Sequence, residues 1–274
     1  MDRKKILNIV RLLLLVVLSF SVIMSIQRLL QNLQASRNRS DALQLTGLDQ
    51  EVSTPADPNA SAGPYDPQKP VLPPEASKLA KLRLEGLQEI NSDVTGWIEI
   101  PGTPISYPLL LGVDGDYYLN NNWKKEASRD GSIFLDATSN PDLTNFHTLI
   151  HGHRILFSEE MFSTLERYKE TAYWQEHPSI YLVIEDGIYR YDIFAAFEAN
   201  ARGAVYRLDL DDKRDQFIEF CLESSVLKTD VKPLAEERLL TLSTCTANNT
   251  RKRWVVQGVL REIYDRDPSV VPNP

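Results

Sequence analysis

The chain has 274 residues, 30 Lys and Arg against 38 Asp and Glu, with 42% hydrophobic and 25% charged residues. That is an ordinary globular balance, long enough to bury a sizeable core, and it excludes a disordered or fibrous protein. Residues 1–40 carry seven basic side chains and one acid, which leaves 23 basic against 37 acidic in the remainder. A body of that sign repels phosphate and argues against a nucleic-acid partner. Two cysteines, in no Cys-x-x-Cys pair, are too few for a disulfide scaffold.

Arg3, Lys4 and Lys5 precede a mostly apolar stretch, Ile6 to Ile26, that carries no charge from Leu12 to Met24. It is long enough to span a bilayer. Arg11 lies near the basic end, where its stem can follow the lipid while the guanidinium reaches the interface. A cleavable signal peptide is the competing reading, but Ile26, Gln27, Arg28 and Leu29 provide no small-x-small cleavage site. The sequence therefore predicts a single-pass signal anchor over 6–26, residues 1–5 as a cytoplasmic tail, and everything after the anchor outside the cell. From about Asp41 to Glu75 the chain is rich in Ser, Asp, Ala, Gly and Pro, without a periodic apolar face. Residues 27–75 read as an extracellular stalk that cannot offset its own ordering entropy. A folded domain follows over 76–266, with a short C-terminal tail over 267–274.

Leu79, Leu82, Leu87 and Ile90 recur at helical spacing and predict one amphipathic helix that opens the domain. Short alternating or apolar runs follow: Trp97 to Ile100, Ile105 to Leu111, Ser132 to Leu135, Thr148 to Ile150, Ile180 to Ile184, Tyr189 to Phe197, Leu239 to Cys245 and Arg253 to Leu260. These are predicted strands. A helix is predicted over Asp211 to Ser224, with Phe217, Ile218, Phe220, Cys221 and Leu222 on its apolar side. Many short strands and few helices, with no regular alternation, favour a mainly β protein built on a closed or nearly closed barrel.

On the strand Leu239 to Cys245, period two puts Leu240, Leu242 and Thr244 on one face and Thr241, Ser243 and Cys245 on the other. The leucines belong in the core, so Cys245 falls at the strand's end on the opposite face, where a thiol can meet a substrate. Cys221 sits on the apolar side of its helix and reads as a small buried hydrophobe. A Cys221–Cys245 disulfide is the competing reading; one cysteine packed inward and the other pointing out disfavours it. A hairpin after the loop Thr246 to Lys252 brings Arg253 back beside Cys245. A guanidinium there can hold a carbonyl oxygen as negative charge develops, although a solvated basic loop with Arg251 and Lys252 is the commoner explanation of such spacing. His147, His151 and His153 would share one face of a strand. They fit a zinc site of a metal-dependent hydrolase, a single acid/base histidine serving a cysteine, or surface residues without a role.

Thr241-Leu242-Ser243-Thr244-Cys245 resembles the Thr-Leu-x-Thr-Cys signature of sortases, the cysteine transpeptidases of Gram-positive cell surfaces. Gly152-His153 resembles the motif of their catalytic histidine, and Arg253 before Trp254-Val255-Val256 resembles their catalytic arginine. Val94 to Ile98, Ile100 to Thr103, Ile105 to Pro108, Asp116 to Asn120 and Gly131 to Asp136 are similar to class B members. So is the helix inserted before the cysteine strand. Arg154 stands where class B sortases usually have Asn, His151 where Tyr is frequent, and Thr246-Ala247-Asn248 lacks the acidic residue that some carry after the cysteine.

The resemblance, over roughly residues 78–264, implies a closed eight-stranded barrel with an N-terminal helix. It implies catalysis by His153, Cys245 and Arg253 without cofactor or metal, with Ser243 and Thr244 binding substrate. It further implies cleavage after Thr of a C-terminal sorting signal, of Asn-Pro-x-Thr type, on a surface protein. The acyl group would pass to an amine of peptidoglycan or, in a pilus-polymerising enzyme, to a pilin lysine.

Overall fold

The computed structural model describes residues 3–49, 70–112, 115–245 and 251–266, with Cys245 described in its backbone only. The predicted tail over 267–274 lies outside the described residues, as does most of the Pro-rich segment. Among the described residues there are eight strands, β1 (Val94–Glu99), β2 (Ser106–Leu110), β3 (Ile133–Leu135), β4 (His147–His151), β5 (Ser179–Ile184), β6 (Gly187–Asn200), β7 (Leu239–Cys245) and β8 (Lys252–Tyr264). They close into one barrel in the order β1-β2-β3-β4-β7-β8-β6-β5. All eight coincide with strands predicted from period-two patterning, with ends moved by a few residues.

Alternation sorts the side chains into an interior and two outer layers. Ile98, Leu109, Ile150, Leu182, Ile193, Leu240, Leu242 and Val256 meet inside the barrel. Trp97, Leu110, Tyr181 and Val183, one position out of phase, face outward under Ala76, Leu79, Leu82 and Leu87. Leu239, Val255 and Val259 are covered by Phe217, Ile218 and Cys221 of the helix α4 (Arg214–Ser224). Burying a Leu, Ile or Phe side chain contributes roughly 1.5–3 kcal/mol, so both covers are integral to the fold. Cys221 is free and fully buried, as its place on the apolar side of the helix predicts. Burial pushes its thiol up to about 12, which keeps it unreactive at neutral pH.

Two departures from the sequence reading have local causes. The single amphipathic helix expected over residues 79–90 is a 3₁₀ helix (Pro74–Lys81) followed by a short helix, α2 (Glu85–Ile90). Leu82 and Leu84 between them are both buried, and two apolar residues two apart reach one side only from non-helical chain. Leu82 accordingly has φ −65° and ψ 132°. The helix α1 (Arg3–Thr46) also runs past the expected anchor into the predicted stalk. By length and composition α1 can cross a membrane. Its last turns, from Arg39 on, belong to the same compact unit as the barrel. There Ala42 and Thr46 are buried, Lys124 pairs with Asp41 at 2.5 Å, and the Arg39 guanidinium lies 5.5 Å from the Tyr107 ring centre. Polar residues at the surface-facing positions hid this packed face.

His147 illustrates what the outer layer does to a titratable group. Its ring lies 4.9 Å from Phe217, is fully buried, and its Nε2 bonds Thr241 Oγ1 at 2.7 Å. Gln257 Nε2 donates to the same hydroxyl at 3.0 Å. Burial lowers the His147 pKa from 6.5 to about 4. The folded state thus binds this proton less well than the unfolded chain. Stability from this group is complete above pH 6.5 and is lost as pH falls toward 4, by about 3 kcal/mol. Urea unfolding of the full chain, followed by tryptophan fluorescence at pH 7 and pH 4.5, should show this loss. His147→Gln, which cannot titrate, should flatten the pH dependence.

Candidate active site

β4 and β7 run parallel, with His151 opposite Ser243, and the Gly152 N–H donates to the Ser243 carbonyl at 3.1 Å. β8 returns antiparallel, with Cys245 opposite Arg253. These two registers bring the end of β4, the end of β7 and the start of β8 to one rim of the barrel. A cavity of about 340 Å³ opens there, lined by residues that include Leu119, His151, His153, Tyr206, Ser243 and Arg253. Thr244 and the carboxylates Asp116 and Asp136 also border it.

His153 follows Gly152, whose missing side chain is a packing requirement: a Cβ would lie 2.5 Å from the Phe162 ring. The His153 ring Nε2 bonds the Leu119 carbonyl oxygen at 2.7 Å. A carbonyl only accepts, so Nε2 carries the proton and Nδ1 is the nitrogen left for proton exchange. Gly131 makes this contact possible. With φ +58°, it lies against both partners: a Cβ there would be 2.8 Å from His153 Cδ2 and 2.9 Å from the Leu119 oxygen. Asp130, beside it, is held above the usual carboxylate range by burial, partly offset by attraction to His153 and Arg129.

Arg253 lines the cavity, and its Nη1 donates to the Lys252 carbonyl at 3.0 Å. Ser243 is 2% exposed and its Oγ meets Tyr206 Oη at 2.7 Å. Thr244 is buried as well, and its Oγ1 has no hydrogen-bond partner among the described residues. The backbone of Cys245 occupies the predicted register position, two residues beyond Ser243; its side chain and the loop 246–250 lie outside the described residues.

The three clustered histidines do not converge. His147 is buried under α4, His151 Nε2 bonds Asp136 Oδ2 at 3.1 Å, and His153 bonds a backbone carbonyl. Among the described residues no three His, Cys, Asp or Glu side chains are grouped to hold a metal, so the zinc reading of the cluster is set aside. The strand ends at His151, so His153 does not share its face. Tyr206 had no sequence signal; Leu119, Gly131 and Asp136 lay inside matched motifs and His151 inside the histidine cluster, but nothing in the sequence pointed to the Leu119 carbonyl as an acceptor or to the Asp136–His151 pairing.

The family model of the sortase domain matches residues 98–261. Sortase B of Staphylococcus aureus is 33% identical over 178 residues, which cover 64% of this chain and 72% of that protein. Sortase B of Listeria monocytogenes is also 33% identical, over 183 residues, 65% of this chain and 73% of its own. Among solved structures, the Staphylococcus aureus sortase B–substrate complex superposes with a TM-score of 0.61 at 32% identity, covering 65% of this chain and 84% of that one.

Imidazole ¹⁵N spectra of the full chain in detergent should give the Nε2-protonated tautomer for His153. Gly131→Ala should convert it to a mixture and cost roughly 1–2 kcal/mol of stability, because an L-residue is forced into the left-handed region. A His153 spectrum that Gly131→Ala leaves unaltered would show that the Leu119 carbonyl does not orient the ring.

Proposed function

This chain belongs to the sortase family as a sortase B-type transpeptidase, and from that premise we propose that it cleaves a C-terminal sorting signal of Asn-Pro-x-Thr type after Thr and passes the acyl group to an amine of peptidoglycan, anchoring surface proteins. One observation carries this reading: His153 and Arg253 line one cavity, and the β7–β8 register sets the backbone of Cys245 opposite Arg253.

In the proposed reaction the Cys245 thiolate attacks the Thr carbonyl. A cysteine of ordinary pKa, about 8.5, is only a few per cent ionised at neutral pH, so the reacting form is the fraction of molecules that holds a thiolate together with a His153 protonated on both nitrogens. His153 gives its Nδ1 proton to the departing amine, and the C–N bond breaks as the thioester forms. Arg253 holds the oxyanion; its guanidinium stays charged and offers donors in a fixed plane. Ser243, two residues before Cys245 on β7, forms the wall of the signal pocket with Tyr206, and Thr244, which also lines the cavity, completes the substrate contacts. The incoming amine then resolves the thioester.

The apolar part of α1 is proposed as a single-pass anchor, N-terminus cytoplasmic and domain outside, by its basic start and charge-free run. That arrangement supports the same reading, since both the signal and the wall amine are found between membrane and wall.

The test uses the full chain in detergent with fluorogenic sorting-signal peptides and an amine acceptor. Cleavage after Thr, with a thioester on Cys245 seen by mass spectrometry, is the expected outcome. Cys245→Ala should abolish both, and Arg253→Ala should slow acylation roughly 10²–10³-fold. Normal turnover by folded Cys245→Ala protein would overturn the proposal.

A further inference from the structure

Two imidazoles border the cavity, and their partners differ in kind. His153 is held by a neutral backbone carbonyl, whereas His151 is held by a carboxylate that is itself fixed on both oxygens. Asp136 Oδ2 accepts from His151 Nε2 at 3.1 Å, and Oδ1 accepts from the Thr138 N–H at 3.0 Å and the Thr138 hydroxyl at 2.6 Å. The His151 and Thr138 hydrogen bonds hold the Asp136 carboxyl well below the usual carboxylate range. The His151 ring is oriented by its neighbours too. It lies 5.3 Å from Phe134 and stacks on Tyr206 at 6.3 Å and 8°, and the Tyr206 hydroxyl bonds Ser243. A carboxylate only accepts, so Nε2 carries the proton and the lone pair available for a base is on Nδ1. A fixed carboxylate behind a fixed imidazole is an arrangement suited to accepting a proton.

The proton inventory of the second half-reaction asks for such a group. Acylation leaves His153 neutral, because it has given its proton to the departing amine. An acceptor alkylamine arrives as an ammonium with three N–H bonds and ends as an amide with one, so two protons must leave it. His153 can take one, which restores its pairing with the thiolate. The other needs a second base.

We propose that His151, positioned by Asp136, is that base: its Nδ1 takes the first proton from the acceptor ammonium. The freed amine attacks the thioester carbonyl, the C–N bond forms and the C–S bond breaks, and His153 takes the second proton. His151 then returns its proton to solvent, to which its side chain is 24% exposed. Asp116 and Asp136 outnumber Arg253 among the Asp, Glu, Lys and Arg residues that line the cavity, a balance that favours an ammonium acceptor. The assignment rests on the acyl-transfer reading above.

The two half-reactions are measured separately on the full chain in detergent: thioester formation with a signal peptide, then resolution by glycinamide or by hydroxylamine, an amine already unprotonated at neutral pH. His151→Gln keeps a donor for Asp136 but has no base. It should slow transfer to glycinamide roughly 10²-fold more than it slows thioester formation, and hydroxylamine should restore most of the loss. Asp136→Asn should show a smaller loss, also recovered by hydroxylamine. Equal losses with both amines, or a loss confined to KM for the signal peptide, would overturn the assignment and make His151 part of the pocket wall. Absence of a thioester in the unsubstituted chain would overturn the acyl-transfer reading itself, before any amine is added.

Discussion

Parallel pairing of β4 with β7 is the constraint on which the candidate site depends. Five consecutive pairs, from His147–Leu239 to His151–Ser243, fix the phase of both strands. Because the side-chain period is two, a slip of one residue would send Ser243 into the barrel and Leu242 out of it. The apolar interior forbids that slip: Leu240 and Leu242 are fully buried among Ile150, Leu182 and Val256. Hydrophobic phase therefore sets the chemical phase. The residues on the other side of β7 are delivered to the rim without any polar interaction having to place them.

Packing on the outside of the barrel serves the same end. α4 covers β7 and β8 where His147, Thr241 and Gln257 form a buried polar chain. Its two hydrogen bonds converge on the Thr241 hydroxyl and lower the cost of burying polar groups under an apolar cover; a partner removed would leave a further desolvated group. The same cover keeps Cys221 buried and protonated, so the strand helix pair contributes no competing thiol.

Legibility in the sequence followed the range of the interaction. Strands were readable because alternation is local, and the Cys245 and Arg253 positions were readable because a short hairpin ties them together. His153 was identifiable from its motif, but the atom that orients its ring belongs to Leu119, 34 residues earlier, and depends on the missing side chain of Gly131. A backbone carbonyl has no residue-type signature. The histidine cluster misled for a related reason: spacing reports a shared strand, not that one ring is buried under α4 while another binds Asp136. The break at Leu82 to Leu84 and the packed end of α1 were hidden because helical periodicity continues through the first and polar residues dominate the second.

The distance along the chain between β4 and β7 has a kinetic consequence. His147 and Thr241, hydrogen-bonded in the fold, are 94 residues apart. Closing so long a loop yields no contact until its ends meet, and topologies rich in such pairings fold slowly. The β5–β6 hairpin and the β6–β8 ladder involve shorter separations and can form without β4. A nascent chain that lacks β7 has no strand on which to seat the end of β4, so a partly made molecule has no assembled rim.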